Sequence, residues 1–344
     1  MRCLSFHLSA RIVLLITLLT VAQAAVSQET PLISGAAGFL SSTNGGKTSF
    51  DPTVMPLVAF PITHRFLFET RDSLLESVTP RGGGQSDQTK LFENVLYLQM
   101  DYFATNHVTV VAGKFLTPFA TYNERLSPIW IGNYQDAPLI FPIGTNGSAG
   151  TGGELRGSLY SRSKMSIDYA SYFAANVSGT QFKSSRASGG RGEVYFPVLG
   201  LEIGGSYGHM FEGNHPNAWG FDVWWQPRHG PLAIKSEYAH GTHAQGYWIE
   251  TGYRLSRFSG PDSAIGRLEP LFRMQQTFRN SPDPTDGLPA ANTQRADFGL
   301  DYFLPHEVRI NTSYSRSFSS TGNGNIWKTG IIYRFLFPAW PGKK

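Results

Sequence analysis

Apolar and polar residues alternate along most of this chain with a period of two. In Glu93–Phe103, Leu96, Leu98, Met100 and Tyr102 interleave with Tyr97, Gln99 and Asp101. That is the pattern of a strand with one apolar and one polar face. A tight turn at Ala104-Thr105-Asn106 leads into His107–Phe115, a run rich in β-branched residues and therefore a returning strand. The same rhythm recurs in Met165–Phe173 and in Tyr247–Leu255. Short turns fall near 61–63, 104–106, 161–163, 197–200, 227–230, 259–264 and 304–306. Longer connections alternate with them, including a Gly/Asn loop ending at Asp51-Pro52 and a polar loop over Ser73–Lys90.

The pattern predicts about sixteen strands of roughly 8–13 residues, with short turns on one side and long loops on the other. An even count puts both termini on the short-turn side. The polar face carries a charge on nearly every strand: Arg71, Asp101, Arg156, Glu193, Glu202, Lys235, Glu250, Arg254, Arg273, Asp297, Arg309 and Arg334. Water has to reach that face. The apolar face holds Leu98, Ile167, Val223, Ile249 and Ile331. It is flanked by Tyr102, Phe115, Phe173, Tyr253, Phe278, Tyr302, Phe318 and Phe335, placed as an interfacial aromatic girdle. A bilayer tolerates no open sheet edge, so such a sheet closes. The expected fold is all-β, a transmembrane antiparallel barrel wide enough for an aqueous lumen.

One segment breaks the rhythm. Thr117–Ala149 contains Pro118, Pro128, Pro138 and Pro142 and has no clean period. Loops longer than about 12–15 residues in a compact fold are usually functional or disordered. Phe119, Tyr122, Trp130, Tyr134 and Phe141 make this one too aromatic for disorder. It is expected to be an ordered loop, the third long connection of the chain.

Met1–Ala24 reads as a secretory signal, with Arg2 and Arg11, an apolar Ile12–Leu19 and the small-residue site Ala22-Gln23-Ala24. That leaves 25–344 as a single barrel domain. Cys3 lies inside the signal, so the mature chain is expected to hold no cysteine, which excludes disulfides and thiolate chemistry. The net charge of +4 is mild. No basic cluster is interleaved with stacking aromatics, so nucleic acid is not a partner.

With these residues in place, the chain resembles the bacterial outer-membrane porins. Gly113–Trp130, GKFLTPFATYNERLSPIW, is most similar to the phosphate- and polyphosphate-selective porins, where a strand ending in Gly-Lys/Arg-Phe runs into a Pro-Phe loop. The architectural resemblance covers nearly the whole mature chain; the wording covers only these residues. It implies a general or anion-preferring diffusion channel in the bacterial outer membrane, a homotrimer in lipid, with the third loop folded inward as its constriction and ions and small solutes as its cargo. Unlike the family, the chain ends in Pro-Ala-Trp-Pro-Gly-Lys-Lys rather than on an aromatic. Lumen-side acids such as Asp101, Glu193, Glu250 and Asp297 roughly match the bases.

The candidate site follows from the loop. Glu124, Arg125 and Asp136 are expected to project into the constriction, opposite wall residues Arg71, Arg156, Arg254, Arg273 and Arg309. Opposed charges there set a transverse field that biases which ions pass. The bland alternative is that Glu124 and Arg125 hold the loop to the wall. Carboxylates spread over every strand do not single out a glycosidase pair. His240-Gly241-Thr242-His243 lacks a third ligand for a metal. Ser148-Ala149-Gly150-Thr151-Gly152-Gly153 reads as a flexible loop and lacks the Lys-Ser/Thr of a phosphate loop. No cofactor and no chemical step are expected, and the chain is not read as an enzyme. The alternatives are an outer-membrane enzyme or adhesin on a plugged barrel, or a secreted carbohydrate-binding β-protein.

Overall fold

The computed structural model describes residues 31–338 apart from 82, 84, 145–148, 178–183, 213–215, 282 and 285. The signal segment expected at Met1–Ala24 lies outside these residues. Sixteen antiparallel strands close into one barrel. They are β1 (Leu32–Asn44), β2 (Lys47–Thr63), β3 (Phe66–Thr79), β4 (Gln88–Thr105), β5 (Val108–Leu116), β6 (Ala149–Arg162), β7 (Met165–Val177) and β8 (Ser184–Phe196). The second half comprises β9 (Leu201–Met210), β10 (Asn217–Trp225), β11 (Leu232–Gly241), β12 (Ala244–Tyr253), β13 (Leu268–Arg279), β14 (Thr293–Leu304), β15 (Val308–Ser319) and β16 (Gly324–Pro338). Each strand pairs with its sequence neighbours, and β1 closes on β16 with Leu32 opposite Pro338. Both ends of the barrel therefore lie on the short-turn side.

The period of two sorts the side chains as the sequence predicts. Leu98, Val223, Ile249 and Ile331 are exposed on the outer wall, with Phe173, Phe221, Met274 and Phe298 around them. Arg71, Asp101, Glu202, Lys235, Glu250, Arg273, Asp297 and Arg309 are buried on the lumen side. A closed sheet with an apolar outer wall leaves no backbone group unsatisfied in hydrocarbon, which makes this a membrane-spanning barrel. No helix among the described residues is long and apolar enough to cross a membrane; the strands do the crossing.

Four expectations are corrected. The Gly/Asn loop before Asp51-Pro52 is a two-residue turn, Gly45-Gly46, and both flanking strands continue through it. The prolines of β2 disguised that strand. Pro56 faces Gly35, whose φ of +144° brings the neighbouring backbone so close that a Cβ there would lie 2.2 Å from the Met55 carbonyl oxygen. Most of the polar segment over Ser73–Lys90 is strand. β3 and β4 extend to Thr79 and Gln88, so this hairpin overshoots the roughly 9–11 residues that span a bilayer. The connection after β12 is longer than a turn: it runs over 254–267 and holds a short helix, Ser256–Ser259. Finally, Phe115 is not a girdle residue. It points into the lumen and is 1% exposed, packed edge-on against Tyr172 at 6.2 Å.

Candidate functional site

The long third connection leaves β5 at Leu116 and returns at Ala149. Between these points it folds into the lumen. A proline-rich aromatic segment has few backbone donors to satisfy itself, so the wall supplies partners. Glu237 of β11 caps the first bend, accepting the backbone N–H of Thr121 at 2.8 Å and of Tyr122 at 2.5 Å. The same carboxylate also accepts the Trp248 indole N–H at 3.0 Å. The Thr121 hydroxyl donates to Asp222 of β10 at 2.7 Å, and the Ala120 N–H to Ser206 of β9 at 2.9 Å.

A single π-helical turn follows, Tyr122–Leu126, and carries Glu124 and Arg125. Arg125 ion-pairs with Glu202 of β9 and stacks over Trp224 of β10 at 4.5 Å. Arg71 of β3 donates to Ser127 at 3.2 Å. Arg309 of β15 donates to the carbonyls of Ile129 and Gly132, and Asn311 to that of Asn133. Asn133 donates to Glu250 of β12, and the Leu139 N–H to Gln275 of β13. Asp136 pairs with Arg295 of β14 at 2.6 Å and with Lys328 of β16. Every strand from β9 to β16 thus supplies a polar hold on the loop. Apolar packing adds to it: Phe119, Leu126, Ile140 and Ile143 bury against Ala218, Ala239, Ala244 and Trp248.

The wall beneath is a row of alternating charge. Strand register sets Lys235, Glu250, Arg273 and Asp297 side by side on β11 to β14. Arg273 reaches Asp297 at 2.9 Å and Glu250 at 3.8 Å, and Lys235 reaches Glu250 at 3.5 Å. Tyr134 lies over Arg273 at 4.4 Å and donates to the Asp297 carbonyl. Buried charges persist only when paired in this way. In the loop, burial pushes the Glu124 carboxyl above its ordinary value, against the pull of Arg191, Arg156 and Arg125. Burial pushes Asp136 the same way, but Lys328 and Arg295 win and hold it at about 2.

The predicted residues therefore divide. Glu124, Arg125 and Asp136 all lie on the inward loop. Arg71, Arg273 and Arg309 meet the loop, but as anchors bonded to it rather than as charges across a gap. Arg156 of β6 pairs with Asp101 of β4 and keeps 36% of its side chain exposed. Arg254 does not belong here. It follows the end of β12 on the short-turn side and pairs with Glu269 at 3.2 Å, half exposed. Arg334 likewise sits at that rim with Glu307. Glu237, Asp222, Arg295 and Lys328 were missed. Their alternation marks them as lumen-facing, but only the fold of the loop makes them its anchors. Lys114, in the Gly-Lys-Phe wording, faces outward beside Leu98 and donates to the Val95 carbonyl. That motif presents no amine to the lumen.

Fold and site together define a closed sixteen-stranded antiparallel barrel with a long loop folded into its lumen. No family model and no curated protein sequence matches the chain. Solved structures do. OprB of Pseudomonas putida aligns over 89% of this chain and 92% of its own with a TM-score of 0.57 at 9% identity. OmpF of Salmonella typhi aligns over 89% and 97% with a TM-score of 0.57 at 12% identity. The anion-selective porin from Comamonas acidovorans aligns over 89% and 99% with a TM-score of 0.55 at 9% identity. Identities of this size establish a shared fold, that of bacterial outer-membrane barrels.

Proposed function

We propose that the chain is a diffusion channel of a bacterial outer membrane. Small hydrophilic solutes and ions pass down their gradients through the lumen, sieved by the inward loop and biased by the charges around it. The observation that carries this is the loop itself, held inside a charge-lined barrel by each strand from β9 to β16. Arg125 and Arg156, with side chains 40% and 36% exposed, are charges beside the loop that remain open to passing solute.

A homotrimer is part of the proposal. Strand register turns Asp72 of β3 and Lys114 of β5 outward on the membrane wall. Lys114 is bonded to the Val95 carbonyl, and a neighbouring subunit seated on this wall keeps the polar patch out of lipid. Liposome swelling with sugars of graded size tests the channel. Permeation that falls steeply with sugar size is expected; liposomes holding folded protein that exclude the smallest sugar would contradict it.

A further inference from the structure

On the short-turn side of the inward loop, between β7 and the connection after β12, the lumen opens into a cavity of about 550 Å³. Its charges are sorted by side. Acids line the wall of β7 to β9. Asp168 of β7 stands opposite Glu193 of β8 in register, and Glu202 of β9 lies opposite Tyr195, two residues further along β8. Bases come from the other sides. Arg125 enters from the loop and lies over Trp224. Arg228 enters from the turn over 226–231, and Arg257 from the short helix after β12. Arg257 donates to the Arg228 carbonyl at 2.9 Å, which ties these two segments together. Glu193 already pairs with Arg191, and Glu202 with Arg125. Asp168 accepts the Ser166 hydroxyl at 3.2 Å. Among the described residues Asp168 has no basic partner, and Arg228 and Arg257 have no carboxylate partner. Both arginines are exposed, and Asp168 is partly so.

We propose that this cavity is a weak subsite for small zwitterions, solutes that carry an ammonium and a carboxylate group on one short skeleton, as amino acids and dipeptides do. This rests on the channel reading above. The solute's ammonium group pairs with Asp168. Its carboxylate pairs with Arg228 and Arg257, whose planar guanidinium forks match that group. A solute with a single charge meets attraction on one side of the cavity and repulsion on the other. A zwitterion is attracted by both sides, and it neutralises an acid and two bases that the chain leaves unpaired. Contacts with such exposed charges are individually weak. That weakness suits transit, because a subsite in a pore has to release what it attracts. Short turns face the periplasm in barrels of this kind, so the cavity receives solute that has just passed the loop.

The experiment is tracer efflux from liposomes holding the full-length, detergent-folded protein. Four probes of comparable size are compared: glycylglycine with both charges, N-acetylglycine with the carboxylate alone, choline with a cationic group alone, and arabinose with neither. Glycylglycine is expected to leave severalfold faster than either singly charged probe. Asp168→Asn should remove that lead and favour N-acetylglycine over choline. Arg228→Gln/Arg257→Gln should remove it and favour choline over N-acetylglycine. Arabinose efflux should stay unchanged in both variants, which shows that the pore is intact; a merely structural role would not give this crossed pattern. Equal efflux of glycylglycine and the singly charged probes in the unaltered protein would overturn the proposal without recourse to any variant. So would a glycylglycine lead that survives both sets of substitutions. Retention of arabinose by liposomes holding the folded, unaltered protein would instead overturn the channel reading, and this inference with it.

Discussion

Arg295 of β14 donates through Nη2 to Asp136 Oδ2 at 2.6 Å, while Lys328 of β16 takes the other oxygen of the same carboxylate. The far limb of the loop is thereby fixed to strands more than 150 residues away in sequence. Asp136→Asn keeps the shape and removes the charge. Breaking a largely buried pair costs several kcal/mol when one partner is left uncompensated. Arg295 retains Asp297, and Asp136 is about a quarter exposed, so about 2 kcal/mol is expected here. Denaturant-induced unfolding in detergent measures the loss, and open-channel current noise should rise as the limb loosens.

The same carboxylate fixes a pH response. Its folded value of about 2 lies below the roughly 3.9 of an unfolded aspartate. The stabilisation is therefore fully present above about pH 4 and is lost as pH falls through about 2. Conductance noise should stay flat from neutral pH to about pH 4 and rise below it. A rise beginning near neutrality would show that a different group controls the loop.

Glu237 has a different task, capping three donors at the loop's first bend. Glu237→Ala leaves the Thr121 and Tyr122 N–H groups and the Trp248 indole N–H without their acceptor. At about 1 kcal/mol or more for each buried group so orphaned, roughly 3 kcal/mol is expected. Glu237→Gln retains an acceptor and should cost less. Limited proteolysis of the folded barrel should cut the loop of the alanine variant first.

Gly144 closes the described part of the loop with φ +75°, and a Cβ there would lie 2.4 Å from the Phe119 ring. Gly144→Ala combines an unfavourable backbone with a clash inside the cluster of Phe119, Ile140 and Ile143. A loss of about 2 kcal/mol is expected, together with an altered single-channel conductance because Phe119 has to move.

The outer wall predicts a contrast between neighbours. Ile249 is exposed to lipid, and Glu250 beside it is buried in the lumen. Ile249→Arg should cost about 2–4 kcal/mol of stability in lipid with conductance unchanged in what folds. Glu250→Gln should disturb the row through Lys235 and Arg273. Equal effects of the two substitutions on conductance would mean that the faces are misassigned.

The strand count and the two faces were legible because each is written in local periodicity; the loop stood out by its lack of any period, and its inward fold was implied only by the resemblance. Met165–Phe173 alternates without interruption, and its faces fall where the period of two puts them. The first three strands were blurred where local chemistry opposes a strand: Pro52, Pro56 and Pro61 lie inside β2, and Gly45-Gly46 turns a predicted loop into a tight hairpin. Phe115 was misplaced because an aromatic at a strand end suits a girdle and a loop-buried lumen equally well. The site was legible by residue type but not by role. Arg71, Arg273 and Arg309 were read as charges facing the loop across a gap. Whether an arginine faces a gap or bonds the loop depends on how far the loop reaches, and no local pattern encodes that distance. Arg254 continues the alternation of β12 by one residue past its end.

Single-channel current across a planar bilayer tests the central claim most directly, using purified protein refolded in detergent. Long-lived stepwise openings are predicted, with larger steps when part of the inward loop is removed. Heat-modifiable protein that inserts and passes no current, with or without that segment, would contradict the account of this barrel as a loop-constricted channel.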